Sequence, residues 1–204
     1  MRTEYIWKIE VKNTPTLKRK CNHCSCNKFY CSDKFRVNAQ KRNIDVWLIY
    51  RCIECDSTYN LTIFSRTKPE LMKKDLFYKF SENDENTAYE YAFSTEIGRK
   101  NSVEIDWSSV EYEIQHANIS IDSLLDTDDE TIAFKIQMPF EFGLKLSTIV
   151  RSCLGLSANL LERIISAEVI FTPENYPLKK HKAKNGDIVL VNKEKLQRIY
   201  NKTV

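Results

Sequence analysis

A chain of 204 residues, 42% apolar and 29% charged, can bury one or two sizeable cores, which excludes wholesale disorder. No apolar run approaches the roughly 20 residues of a membrane-spanning helix, and Met1 to Glu10 mix charge with aromatics instead of forming a signal-peptide core, so a cytoplasmic protein is expected. The formal charge of +3 conceals an asymmetry of +8 over residues 1–69, −10 over 70–140 and +5 over 141–204. Basic ends suit a polyanion, because Lys and Arg release phosphate counterions, although an internal electrostatic match between domains explains the pattern equally well.

In chain order, residues 15–67 read as β-rich. Phe35-Arg36-Val37 and Ile44 to Tyr50 flank the polar turn Gln40-Lys41-Arg42-Asn43 as a hairpin, and Tyr59 to Phe64 form a third strand. Pro69 marks a change to helix. Leu71, Leu76 and Phe80 predict one short helix; Ala88, Tyr91, Ala92 and Thr95 predict a second, ended by Gly98. Val110 to Gln115 and Thr131 to Gln137 alternate as strands do, on either side of an acidic loop at Asp126 to Glu130, and Pro139 closes the region. Leu144, Leu146, Ile149 and Val150 lead a helix into Leu154-Gly155-Leu156-Ser157, where Ser157 caps a further helix through Ile164 and Ile165. Val169-Ile170-Phe171 and Ile188 to Val191 are strands around a long basic turn, Lys179-Lys180-His181-Lys182-Ala183-Lys184. The expected fold class is α+β in three parts: a β-rich zinc ribbon over 1–69, an acidic central α/β region over 70–140, and a small C-terminal module over 141–204.

Seven cysteines, an odd number, include two Cys-x-x-Cys pairs, Cys21/Cys24 and Cys52/Cys55. Each pair can form a tight knuckle with two thiolates facing one metal, and two knuckles complete a tetrahedron. Zinc suits four soft thiolates at about 2.3 Å without redox chemistry, and a closed shell leaves no position for a catalytic water, so a structural Zn2+ is expected. Cys26, Cys31 and His23 stand close in sequence; Cys26 and Cys31 are taken as spare thiols and His23 as a solvated knuckle residue. Arg19, Lys20, Lys28, Lys34, Arg36, Lys41 and Arg42 surround the knuckles in sequence.

The strings Lys34-Phe35-Arg36-Val37-Asn38-Ala39 and Ile44-Asp45-Val46-Trp47-Leu48-Ile49-Tyr50-Arg51-Cys52 resemble a bacterial family known only as domain of unknown function 1062, a likeness that covers most of the chain and implies no particular activity. Residues 144–191 separately resemble the small αL-type RNA-binding fold named after the fourth ribosomal protein of the small subunit. The matching positions are Leu146, Ile149, Leu154-Gly155-Leu156-Ser157, Leu160, Ile164-Ile165, Val169-Ile170 and Gly186-Asp187-Ile188-Val189-Leu190-Val191. Two positions depart from that pattern: Ala158 or Asn159 stands where an arginine usually follows the helix-starting serine, and Ala167-Glu168 replaces a glycine. The resemblance implies phosphate contact through Lys145, Arg151 and Arg163 on the helices and Lys179, Lys180, Lys182 and Lys184 on the turn. The alternative for that turn is a solvated charge run.

No enzyme is expected. Gly98, Gly143, Gly155 and Gly186 are the only glycines and form neither a phosphate loop nor a dinucleotide fingerprint. His23, His116 and His181 are scattered, and no Gly-x-Ser-x-Gly elbow exists. Cys153 reads as a buried core thiol, and Asp128-Asp129 as solvated loop carboxylates. The leading expectation is a zinc-binding protein for structured RNA, recognised by shape and phosphate contact. The alternatives are a protein-interaction adaptor whose C-terminal module has lost RNA binding, motivated by the two departures, and a thiol redox or zinc-responsive protein, motivated by Cys26 and Cys31.

Overall fold

The computed structural model describes residues 4–39, 42–117 and 119–200. The fold is α+β, built on two five-stranded sheets. Strand β1 (Glu4–Val11) opens the chain, yet it belongs with its far end: one compact unit comprises Met1–Val11 with Tyr112–Val204, and the other comprises Lys12–Glu111. The divisions therefore fall at 11/12 and 111/112, not at the composition shifts near residues 69 and 140, because backbone pairing ignores charge. Lys12–Glu111 holds 17 Lys and Arg against 14 Asp and Glu, and the remainder is neutral, so the acidic stretch is shared between units.

The Lys12–Glu111 unit carries strands β2 (Thr16–Lys18), β3 (Lys28–Asn38), β4 (Ile44–Cys52), β5 (Thr58–Thr67) and β6 (Glu104–Asp106), in the order β5-β4-β3-β2-β6. In β4 the side chains of Ile44, Val46, Leu48, Tyr50 and Cys52 are buried in strict alternation with half-buried neighbours, the signature of a sheet covered on one face. The predicted hairpin is present as β3 and β4; Gln40 and Lys41 of its turn lie outside the described residues. Between Cys31 and Lys34 the register shifts, with Asp33 in the left-handed region at φ 55°. The Phe35 amide just beyond donates to Asn83 Oδ1 at 2.7 Å.

Three helices follow: α1 (Lys74–Glu82), α2 (Glu85–Ala92) and α3 (Thr95–Lys100). Phe80, Ala88 and Ala92 join Phe35, Val46 and Leu48 in one core, with the Phe35 and Phe80 rings 4.8 Å apart edge to face. Two expectations change here. Leu71 lies in a 3-10 turn and is 76% exposed, so it packs no helix. The second helix stops at Ala92, because Ser94 caps a new one by accepting from the Ile97 amide. Gly98 is then interior to α3, where a Cβ would stand only 3.0 Å from Ile105 Cδ1.

The other unit contains β7 (Tyr112–Gln115), α4 (Ile121–Leu125), β8 (Thr131–Gln137), α5 (Leu146–Cys153), α6 (Ala158–Ser166), β9 (Ile170–Phe171), β10 (Ile188–Asn192) and α7 (Lys193–Tyr200). Its sheet runs β7-β1-β8-β10-β9; β1 pairs parallel with β8 and antiparallel with β7. Trp7, 1% exposed, stacks on Phe134 with ring centroids 4.3 Å apart. Ser157 caps α6 as predicted, accepting from the Leu160 amide. Among the described residues no helix is long and apolar enough to cross a membrane.

Helix α6 ends with the Val169 amide donating to the Ile164 carbonyl and the Glu168 amide to the Ile165 carbonyl, the pattern that needs a left-handed residue just past the helix. That residue is Glu168 at φ 52°, one of the two positions that stand in for a glycine. Its exposed ion pair with Lys195, at 3.5 Å, is worth little. Relief of the left-handed Cβ clash outweighs it, so Glu168→Gly is expected to stabilise the protein by about 0.5 to 1 kcal/mol, read as a raised urea midpoint at unchanged slope.

Candidate metal centre

Two turns of the Lys12–Glu111 unit bring four thiols together. In the first, between β2 and β3, the Cys21 amide donates to the Cys26 carbonyl at 2.8 Å, and the His23 amide turns back onto Cys21 Sγ at 3.4 Å. In the second, between β4 and β5, the Cys52 amide donates to the Ser57 carbonyl at 2.9 Å, with Asp56 left-handed at φ 57°. β3 and β4 pair side by side, with Phe29 opposite Cys52, and this register holds the turns together.

The Sγ atoms of Cys21, Cys24, Cys52 and Cys55 all lie within 4.8 Å of one another. Cys21 and Cys55 are 3.6 Å apart, and Cys24 and Cys52 are 3.5 Å apart. A disulfide would need about 2.05 Å, whereas the edge of a tetrahedron with metal–sulfur bonds of about 2.3 Å measures about 3.8 Å. The arrangement therefore suits one metal ion coordinated by four sulfurs.

Electrostatics points the same way. The Ser57 hydroxyl, 3.1 Å from Cys21 Sγ, and then the His23 amide hold the Cys21 thiol down at about 6. Cys24 is pushed the other way: the Cys26 amide favours its thiolate, but burial and the three neighbouring sulfurs together outweigh it. Four thiols this close cannot all ionise without a cation among them, and a metal ion removes that conflict.

Cys26 and Cys31 stand apart from this group. Cys26 Sγ is buried and hydrogen-bonds the backbone of Lys28, at 3.4 and 3.5 Å. Cys31 is buried in β3, where burial pushes its thiol up to about 12. His23 is exposed on its knuckle. Cys153 is buried in α5, and burial likewise pushes it up to about 12, which leaves it a poor nucleophile.

The candidate phosphate-binding residues lie in the other unit and are exposed. Lys145 precedes α5 and bridges to Lys182 through the backbone. Arg151 and Arg163 lie in the last turns of α5 and α6, with Arg151 Nε donating to the Leu156 carbonyl at 3.3 Å. Lys179 pairs with Glu162. Lys179, Lys180, Lys182 and Lys184 share a turn with a polar anchor that the sequence did not suggest. His181 Nε2 meets Asp187 Oδ2 at 2.8 Å, the Lys184 amide donates to the same oxygen at 2.9 Å, and the His181 ring stacks on Tyr176 at 4.4 Å.

Residues 37–176 match a family model described as "Protein of unknown function (DUF1062)", well over half of the chain. The chain belongs to this family. No curated protein and no solved structure matches it. The DUF1062 match takes in Cys52 and Cys55, with Lys145, Arg151 and Arg163, while Cys21 and Cys24 precede it and the lysines of 179–184 follow it.

Sequence reasoning also passed over Ser57, whose only signal was its place two residues after Cys55. Its hydroxyl lies 3.1 Å from Cys21 Sγ and 3.2 Å from Cys55 Sγ. Protons compete with metal for thiolates, so a donor that favours the thiolate lets metal persist to lower pH. Ser57→Ala is expected to weaken metal binding about tenfold. It should also move the midpoint of acid-driven metal release to higher pH, followed with a metallochromic indicator.

Proposed function

We propose that Cys21, Cys24, Cys52 and Cys55 hold one structural zinc ion, and that the chain is a non-catalytic protein binding structured RNA through basic residues of its terminal regions. The observation that carries the first part is the four-sulfur cluster, whose spacing and soft donors suit zinc and whose four protein ligands leave no position for a catalytic water. The second part draws support from the exposed lysines of the turn at 179–184, anchored by Asp187 and bridged to Lys145, together with the exposed Arg151 and Arg163. The likeness to the αL-type RNA-binding fold supports it further: two short helices, α5 and α6, precede the β9/β10 pair, and a left-handed residue stands where that pattern has glycine.

Charge reversal of Lys179, Lys180, Lys182 and Lys184 together tests the RNA reading. Affinity for an RNA hairpin is expected to fall about a hundredfold, and the log–log salt slope to shrink by about 0.9 for each phosphate no longer neutralised. Unchanged affinity and slope would remove RNA docking from this turn.

One feature favours the adaptor as a second reading. A mainly apolar cleft of about 360 Å3 is lined by Ala39, Ile44, Pro69, Met72, Phe77 and Tyr78 together with Asn43 and Lys74, with Tyr78 59% exposed. A stoichiometric protein partner recovered from nuclease-treated lysate, together with no RNA affinity, would establish it in place of RNA binding.

A further inference from the structure

The outer face of the β3-β4-β5 sheet uses none of the four sulfurs, although it runs up to the second knuckle at Asp56. Alternation sends Ile44, Val46, Leu48, Tyr50 and Cys52 into the core and turns Trp47, Ile49 and Arg51 the other way. On β3, Arg36 lies opposite Trp47, Lys34 opposite Ile49 and Tyr30 opposite Arg51; on β5, Thr62, Asn60 and Thr58 complete the face. The helices that cover this sheet meet its opposite side through Phe80, Ala88 and Ala92.

The chemistry of this face is aromatic and cationic. Tyr30 is 40% exposed, and the Arg36 guanidinium stands 6.0 Å from the centre of the Trp47 ring. Lys34 and Arg36 are exposed. Two carboxylates border the face, and both are engaged: Asp56 accepts from Tyr30 Oη at 2.9 Å and from Arg51, and Asp45 accepts from the Arg66 amide at 2.7 Å. Trp47 and Tyr30 are separated by about 13 Å, four residues at roughly 3.3 Å each, with Ile49 between them. A row of π faces flanked by cations matches bases that stack and phosphates that need neutralising, and sequence-tolerant single-strand binders combine these two features. A protein partner would favour a core depleted of lysine.

We propose that this face binds single-stranded nucleic acid, with Trp47 and Tyr30 stacking on bases and Lys34 and Arg36 contacting phosphates. The surface belongs to the Lys12–Glu111 unit and does not rest on the RNA reading above.

The test uses the full chain with its metal, fluorescein-labelled decamers of uridine and of deoxythymidine, and anisotropy across a salt series. Trp47→Leu keeps bulk and removes the ring, and is expected to weaken binding about tenfold. Tyr30→Leu, at the more exposed ring, serves the same purpose should Trp47→Leu fail to fold. The double variant Lys34→Glu/Arg36→Glu is expected to shrink the log–log salt slope by about 1.4, the share of two single-strand phosphates. Reversal of Lys179, Lys180, Lys182 and Lys184 leaves decamer binding unchanged, which separates this face from hairpin docking. Tighter binding of one decamer identifies the natural strand as RNA or DNA. The proposal is overturned by wild-type decamer affinity in variants that retain metal and circular dichroism, by no decamer affinity in the parent protein, or by loss of a protein partner alone.

Discussion

Cys52→Ser is expected to lose the bound metal and to melt the Lys12–Glu111 unit far below the parent protein. Cys52 is 1% exposed at the end of β4, its Sγ is 3.5 Å from that of Cys24, and its amide closes the second turn onto Ser57. Structural zinc contributes on the order of 10 kcal/mol or more in small finger-like units, because the site does not exist in the unfolded chain. A domain of this size shifts in Tm by roughly 4 to 8 °C per kcal/mol, so losing even about 4 kcal/mol lowers the transition by some tens of degrees. Calorimetry with and without a chelator reads the effect, and chelation of the parent protein should reproduce the variant. Cys26→Ser is the control: its sulfur hydrogen-bonds the Lys28 backbone and is not one of the four clustered sulfurs, so metal content should stay at the parent value. A Cys52→Ser protein that keeps metal and melting temperature would remove the knuckles as the organising element of this unit.

Trp7→Ala is expected to cost about 3 to 5 kcal/mol, measured from urea unfolding of the Tyr112–Val204 region with β1. Trp7 is fully buried, stacks on Phe134, and sits on a strand with a neighbour on either side. Truncating it leaves a cavity between β1 and β8 that the remaining side chains fill only partly. A cost below about 1 kcal/mol would show that β1 is dispensable to this sheet.

Those two residues also mark what was legible in the sequence. Cys-x-x-Cys spacing is local chemistry, so both knuckles could be read without the fold, and the sulfur group confirms that they converge. Ile44 to Cys52 announced a strand through period-two alternation, and Ser157 announced a helix start through its side chain. Strand β1 alternates too, with Trp7 and Ile9 buried on either side of exposed Lys8, but its place in the sheet was illegible because its parallel partner, β8, lies more than a hundred residues away in the sequence. The same long-range pairing makes the compact units cut across the charge blocks. Helix α7 and strands β2 and β6 were missed because short or strongly charged segments take their form from the partner they pack on. Ser94 shows a smaller failure: helical spacing ran on from Ala92 to Thr95, while a serine cap had already restarted the chain.

The most direct measurement of the metal centre is zinc per chain on protein purified without added metal or chelator, with thiol titration before and after denaturation. The four-sulfur site predicts one zinc per chain, with the thiols of Cys21, Cys24, Cys52 and Cys55 unreactive until the metal is removed. A folded protein with no metal and those four thiols freely reactive would contradict it.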